Sequence, residues 1–344
     1  MDTTQTQDLP QDAPSPGPTF DRRAFLAWAG ALTAAAAAPR ASASGPAADV
    51  PLTARQAASR LLAQSTFGGD LDLIDEVASL GAEAWIDAQL ALPLQPTLPE
   101  VLELIETGAT GVEGEYVAFD WVWWQRAMTA PDVVRLRVAF ALSQIFVISR
   151  REDTLYDLAI APAAFHDALL RGAFGSFKDL LRDVTLSPSM GLYLSHLNNR
   201  RSDPSLNRFP DENYAREVMQ LFTIGLFELN ADGTRKLDGA GRPIPTYGNA
   251  EITEMAKIFT GLTMVPGPGE PVEFGLEQVT FDQPMVMVEA EHEPGPKTLL
   301  GGFTVPAGQT GMEDIESAID HLFRHPNVGP FIGTHLIKFL VTSN

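Results

Sequence analysis

The stretch Pro210–Leu226, PDENYAREVMQLFTIGL, predicts an amphipathic helix, and its periodicity points to the fold class of the chain. At 100° per residue, the core side of this helix carries mostly apolar residues, namely Tyr214, Ala215, Val218, Met219, Leu221, Phe222 and Leu226. Four polar residues follow the opposite side at i, i+3, i+4 and i+7, namely Asn213, Arg216, Glu217 and Gln220. We call these four residues the polar ridge. The helix has Asp211 at its N-cap or Pro210 as its first residue.

Helical periodicity with Gly, Pro and Asp at the breaks extends over most of the segment 53–263. Between residues 264 and 311 the pattern changes to Pro, Gly and alternating apolar residues, and helical periodicity returns after that segment. The sequence therefore predicts a mainly α protein, a multi-helix orthogonal bundle with a small β-containing insertion near residues 264–311.

Residues 1–43 have the features of a twin-arginine signal peptide. Arg22 and Arg23 precede Phe25 and Leu26, and an Ala-rich run follows that is too short to span a hydrocarbon core about 30 Å thick. Small residues at 41–43 supply a cleavage site, so the mature chain is predicted to begin at Ser44. We expect the twin-arginine export machinery as a partner, a periplasmic or extracellular location, and no membrane span in the mature chain. A membrane anchor or a plain amphipathic helix is the alternative.

The rest of the chain divides into a linker and one domain. Residues 44–52 are rich in Gly, Ala and Pro and are predicted to form a linker, and residues 53–344 a single helical domain. The sequence stops at Asn344 directly behind an apolar helix, which predicts that the domain is truncated at its C-terminal end.

Composition excludes several classes of function. The net charge of -20 argues against nucleic acid as a partner, because phosphate backbones need a basic surface. The chain has no cysteine, which removes thiol nucleophiles, disulfides and cysteine-ligated metals. It also lacks the glycine-rich nucleotide motifs and the GxSxG motif, so no cofactor is predicted.

The polar ridge admits two interpretations. Glu212 and Arg216 at i, i+4 form an ordinary helix pair worth about 0.2–0.5 kcal/mol. Alternatively, Glu212 or Glu217 serves as an acid or base and Arg216 binds an anion, with help from His166 or His196. The polar loop before the helix would contribute binding residues together with Asn213 and Gln220, namely Asn198, Asn199, Arg200 and Arg201.

Two further groups of residues permit weaker hypotheses. His321 and His325 lie at i, i+4 and could share a helix face as metal ligands, but the Glu of HExxH is missing and no metal site is predicted. Trp121, Trp123, Trp124 and Met128 form an aromatic cluster that we interpret as core packing.

Several segments together resemble the bacterial domain of unknown function 1800 family. They include AASRLLAQSTFGGDLDLIDEVASL, RLRVAFALSQIFVIS, DENYAREVMQLFTIGLFELNADGT and HPNVGPFIGTHLIKFLVTSN, and the resemblance covers nearly all of residues 53–344. It implies a large exported protein, commonly encoded beside a second exported protein that resembles sulfatases and alkaline phosphatases. Many members carry Trp-His-x-His-Phe where this chain has Leu142–Phe146, so a site built on those histidines would be absent or altered here.

Two functional hypotheses follow. The first is a cell-envelope binding or assembly protein that works with an exported phosphatase- or sulfatase-like partner. The second is a hydrolytic enzyme with a carboxylate, Arg and His site around the ENYARE helix. The first is favoured, because no complete set of nucleophile, base and orienting group can be written from the sequence.

Overall fold

The computed structural model describes residues 52–108, 117–149, 155, 158–267, 269–275 and 280–341. The predicted signal peptide and all but the last residue of the predicted linker lie outside the described residues.

Thirteen α-helices and two antiparallel pairs of short strands form the described part of the chain. The helices are α1 (Leu52–Ser65), α2 (Leu71–Leu80), α3 (Ala82–Ala91), α4 (Leu98–Thr107), α5 (Ala118–Thr129), α6 (Val133–Ser143), α7 (Ile160–Gly172), α8 (Phe177–Thr185), α9 (Pro188–Tyr193), α10 (Asn213–Gln220), α11 (Asn249–Ile258), α12 (Gly311–Phe323) and α13 (Val328–Leu340). The strands are β1 (Leu262–Thr263), β2 (Val286–Met287), β3 (Lys297–Thr298) and β4 (Thr304–Val305). The mainly α fold with a small β insertion is thus confirmed. None of the described helices has the length and apolar character needed to cross a membrane.

Helix boundaries follow local capping chemistry. The Asp70 side chain accepts a hydrogen bond from the backbone N–H of Leu73 and begins α2. Gly81 ends that helix with a φ of 85°, a conformation that glycine adopts without steric cost. At α12, Thr310 and Glu313 satisfy each other's backbone N–H groups in a capping box.

Helix α10 is oriented largely as its periodicity predicts. Tyr214, Ala215, Val218 and Met219 are buried in the main hydrophobic core. The prediction was wrong for two core-side residues, because Leu221 is 46% exposed and Leu226 is 49% exposed. The helix ends at Gln220, and the chain turns at Gly225 with a φ of 71°, so the 100° spacing no longer applies to them.

The Tyr214 ring is the centre of the contacts that hold α10. The His196 ring stacks on it at a centroid distance of 3.9 Å, and the Phe259 ring meets it edge-on at 4.8 Å. The Tyr214 hydroxyl and Thr185 Oγ1 form a hydrogen bond of 2.8 Å, while His196 Nε2 donates to the Thr185 carbonyl at 2.9 Å. Burial lowers the pKa of His196 to about 4. His196 is therefore a neutral ring at neutral pH that packs behind α10.

A buried asparagine joins the end of this region to the start of α13. Asn327 Nδ2 donates to the carbonyls of Ile224 and Phe227, each at 2.8 Å. Asn327 Oδ1 accepts from the backbone N–H of Leu229 at 2.9 Å. One side chain thus satisfies three backbone groups of the segment that leaves α10.

The stability of the fold should depend on pH through His196. Its folded-state pKa lies below the ordinary histidine value of about 6.5. The unfolded chain therefore binds a proton at His196 more tightly than the folded chain does. This contribution to stability is present above pH 6.5 and is lost as the pH falls toward 4. His196→Phe keeps a stacked ring that does not titrate. Between pH 7 and pH 5, the free energy of unfolding of the wild type should fall by about 2 kcal/mol more than that of the variant.

Denaturant titrations at the two pH values measure this difference. His335→Phe is the matched control, because His335 is only half-buried and lies edge-on to Phe331. The fall in the free energy of unfolding between pH 7 and pH 5 should differ less between His335→Phe and the wild type than between His196→Phe and the wild type. Equal pH dependence in wild type and His196→Phe would contradict the assigned burial of a neutral imidazole.

Candidate functional site

At the N-terminal end of α10, the polar ridge is an ordinary, partly exposed helix surface. Arg216 Nη2 lies 3.3 Å from Glu212 Oε2, and both side chains are 41% exposed. Glu212 Oε1 also accepts a hydrogen bond from Thr253 Oγ1 of α11 at 2.8 Å. Exposed pairs of this kind contribute little free energy. Glu212 therefore ties α10 to α11, while Asn213 stands exposed at the start of the helix.

One carboxylate of the ridge is less easily explained. Glu217 Oε2 is buried and has no hydrogen-bond partner among the described residues, and the same holds for the Tyr247 hydroxyl. Burial raises the pKa of Glu217, and the Arg216 guanidinium opposes that shift. Burial also raises the pKa of Tyr247, and the charge of Glu217 raises it further. The ridge thus holds a partly buried carboxylate beside a phenol.

The asparagines of the preceding loop position the backbone. Asn198 Oδ1 accepts from Thr263 Oγ1 at 2.7 Å. Asn199 Oδ1 accepts from the backbone N–H of Asp211 at 2.9 Å, and its Nδ2 donates to the Asp211 carbonyl at 3.3 Å. These bonds hold the entry to α10.

The two arginines of this loop contact the segment around Glu291. Arg200 Nη1 donates to Glu291 Oε1 at 3.0 Å, and its guanidinium lies 4.9 Å from the centre of the Phe274 ring. The Arg201 backbone N–H donates to the Glu291 carbonyl at 2.9 Å. Both residues thus connect the loop to the β insertion.

The structure does not bring the candidate histidines to the ridge. His196 packs on the core side of α10 against Tyr214, opposite the ridge. His166 lies on α7, where its Nδ1 is 3.0 Å from Thr97 Oγ1 of the segment that begins α4. Burial, aided by the charge of Arg126, lowers the pKa of His166 to about 3, far from the value that suits proton transfer near pH 7.

His321 and His325 have partners within the fold. His321 Nε2 donates to the Leu300 carbonyl at 2.9 Å, and its ring stacks on Phe303 at 4.4 Å. His325 Nδ1 accepts from the backbone N–H of Asn327 at 3.1 Å. Within the described ranges, no three His, Asp or Glu side chains are grouped so that they could hold a metal ion.

A large concave site occurs elsewhere, between α5, α6, α7 and the segment that follows α1. Its volume is about 970 Å³, and we call it the aromatic cavity. The lining is mostly apolar and aromatic, with Phe67, Phe119, Trp123, Trp124, Phe140, Phe146 and Phe165 as its rings. The Phe67, Trp123 and Phe140 rings lie 5.4–5.7 Å from one another, and Trp124 meets Trp123 edge-on at 4.9 Å. Ligand sites in proteins commonly have this size and this apolar character.

Few polar groups line the aromatic cavity. Among them Arg137 is the cation and Asp120 is the carboxylate. The Arg137 guanidinium lies 5.6 Å from the centre of Phe67 and 5.5 Å from that of Phe140. Arg137 Nη2 donates to the Phe339 carbonyl at 2.9 Å, whereas its Nε is buried without a partner among the described residues. Burial lowers the pKa of Arg137.

The remaining polar lining includes the segment that departs from the Trp-His-x-His-Phe pattern. Ser143 and exposed Gln144 line the cavity and are joined by a bond from Gln144 Nε2 to Ser143 Oγ of 3.1 Å. His166 also lines it, and its Nε2 is buried without a partner among the described residues.

The interpretation of the tryptophans as core packing holds for only part of the cluster. Trp121 is 8% exposed, whereas Trp124 is 50% exposed and Met128 56% exposed. Trp123 and Trp124 line the aromatic cavity. Sequence reasoning also missed Arg137, which stands two residues after Arg135 at the start of the apolar run RVAFALSQIFVIS, so the local sequence does not distinguish the two arginines.

Comparison with known proteins places the chain in one family. The model of the family described as "Protein of unknown function (DUF1800)" matches residues 60–344. No curated protein and no solved structure matches the chain. The family match covers most of the sequence, including the ENYARE helix and all the residues that line the aromatic cavity. The chain therefore belongs to the DUF1800 family.

Proposed function

We propose that this protein is an exported binding protein of the cell envelope that holds a small amphiphilic ligand in the aromatic cavity. The observation that carries the proposal is an aromatic cavity of about 970 Å³ whose wall holds one arginine, Arg137, and one aspartate, Asp120. Arg137 can only donate hydrogen bonds, so the ligand should present an anionic or acceptor group to it. The rings of Phe67, Trp123 and Phe140 suit an apolar body.

The hydrolytic alternative has one observation in its favour. The Glu217 carboxylate lies beside Tyr247, and its buried Oε2 has no hydrogen-bond partner among the described residues. Neither residue lines the aromatic cavity. The candidate histidines lie elsewhere, so the described residues supply no nucleophile and base in contact at the ridge. Binding in the cavity is therefore the function that the geometry supports better.

The probe 8-anilinonaphthalene-1-sulfonate tests the binding site, because it combines an aromatic body with an anionic head. We expect one probe molecule per folded chain. Arg137→Gln should weaken its affinity about tenfold or more, since a charge-assisted hydrogen bond contributes about 1.5–3 kcal/mol. Fluorescence titration measures the affinity, and cooperative unfolding of each variant confirms that it is folded.

Two matched controls locate the effect. Arg135 lies on the same helix, but its guanidinium stands over Phe174, 4.3 Å from the ring centre, so Arg135→Gln should bind like the wild type. Glu217→Gln changes the ridge alone and should also bind normally. Absence of probe binding, or equal loss in Arg137→Gln and Arg135→Gln, would reject the cavity as the site. Loss in Glu217→Gln alone would favour the ridge.

We propose further that the protein is exported through the twin-arginine pathway and acts with an exported phosphatase- or sulfatase-like protein. The paired Arg22 and Arg23, the Ala-rich run and the small residues at 41–43 support the export route. The family resemblance supports the partner.

Export should stop when both arginines are replaced. Arg22→Lys/Arg23→Lys keeps the charge but removes the two groups that the receptor reads, so the protein should be retained in the cytoplasm in its uncleaved form. Arg40→Lys is the control and should be exported. Cell fractionation followed by N-terminal sequencing measures both. Export of the double variant would contradict the route, and failure of a phosphatase- or sulfatase-like protein to co-purify with the exported wild type would contradict the partner.

A further inference from the structure

A cluster of three ionisable side chains is buried where the β insertion meets α12. Lys297 lies on β3, Asp314 lies in the first turn of α12, and His292 precedes β3. The exposed fractions of their side chains are 2%, 1% and 3%. None of them lines the aromatic cavity, so the cluster plays no part in the binding site proposed above.

The three side chains contact one another directly. Lys297 Nζ donates to Asp314 Oδ2 and to the Glu293 carbonyl, and it lies 3.2 Å from His292 Nε2. His292 Nε2 is in turn 3.0 Å from Asp314 Oδ2.

The other atoms of the cluster define its chemistry. The Thr260 carbonyl can only accept, so His292 Nδ1, which is 2.9 Å from it, donates that hydrogen bond. The second ring nitrogen, Nε2, is then available to the lysine and the aspartate. Asp314 Oδ1 is buried and has no hydrogen-bond partner among the described residues.

Burial makes this cluster costly as an ion pair and inaccessible to outside reactants. Two opposite charges lose their hydration when they are buried, and a neutral product of the same groups avoids that cost. The lysine amine is an effective nucleophile once it has lost its proton. The carbon of the Asp314 carboxyl group is the electrophile next to this amine, because Lys297 Nζ donates a hydrogen bond to Oδ2 of the same group.

We propose that Lys297 and Asp314 condense to form an intramolecular amide cross-link, with His292 carrying the proton. A proton first moves from the lysine ammonium to the carboxylate along their hydrogen bond, which leaves an amine and a carboxylic acid. The amine lone pair then attacks Asp314 Cγ. His292 Nε2 accepts a proton from the attacking nitrogen and returns it to the departing hydroxyl group. One C–N bond forms, one C–O bond breaks, and one water leaves without any oxidant or co-reactant.

The fixed contact accelerates this condensation. Groups held in reactive contact reach effective molarities of about 10⁵–10⁸ M, and exclusion of water from a buried site protects the amide from hydrolysis. The cross-link would join β3 to α12 across 17 positions of the chain. It would do so in a sequence that contains no cysteine and so cannot form a disulfide.

Intact mass spectrometry of the denatured full-length wild type tests the proposal without any substitution. We expect the measured mass of nearly every chain to be lower, by the mass of one water molecule, than the mass calculated from the amino-acid sequence. Peptide mapping should find the fragment containing Lys297 joined to the fragment containing Asp314, with no tryptic cleavage after Lys297. The ion pair Lys178–Asp320, at 2.7 Å and one-third exposed on both sides, is the internal control and should remain unlinked.

Three variants test the roles of the reacting carboxyl group and of the histidine in forming the cross-link. Asp314→Ala should retain the full mass of its sequence. Asp314→Asn should condense with loss of ammonia and reach the same final mass as the cross-linked wild type. His292→Gln keeps both reacting groups, and the rate at which it forms the cross-link should fall about 100-fold, as expected when a general acid–base group is lost.

The full sequence mass in a folded wild-type protein would overturn the proposal. So would loss of water that maps to another position, such as a succinimide at Asp232-Gly233. Equal cross-linking rates in wild type and His292→Gln would remove the histidine from the mechanism. None of these results depends on whether the aromatic cavity binds a ligand.

Discussion

The burial of the Tyr214 ring between His196 and Phe259 is the contact on which the arrangement of α10 depends. A tyrosine of this kind buries about 150–250 Å², which corresponds to roughly 4–6 kcal/mol of hydrophobic free energy. Its hydroxyl group is satisfied by Thr185, so the buried polar atom adds no penalty. With that ring fixed, the rotation of α10 is fixed as well, and the polar ridge must face away from the core.

The same core also forms one wall of the aromatic cavity. Phe146 is fully buried and lies 5.2 Å from Phe222, which follows α10, while it also lines the cavity. Helix α10 is thus a structural element whose core side supports the aromatic cavity, which is lined by other helices. Because the aromatic cavity lies on other helices, the polar residues around α10 serve the fold. Glu212, Asn198 and Asn199 make hydrogen bonds that connect α10 and its preceding loop to neighbouring segments.

The sequence predicted those features that depend on local periodicity and capping. The buried side of α10, the mainly α class and the β insertion could be read from spacing, because burial repeats every 3.6 residues in a helix. The aromatic cavity could not, because Phe67, Trp123, Phe140 and His166 come from four segments that meet only in the folded chain. The role of His196 was hidden for a similar reason, since its stacking partner lies 18 positions further along the chain.

We propose that the aromatic cavity is the binding site of this protein. Native mass spectrometry of the protein, isolated gently from cells that produce it, compares the wild type with Ser143→Trp, which places an indole at the cavity wall. If the cavity is the binding site, we expect one small molecule bound per wild-type chain and none in the folded variant. A wild-type protein without any bound molecule, or a variant that retains the same molecule, would contradict it.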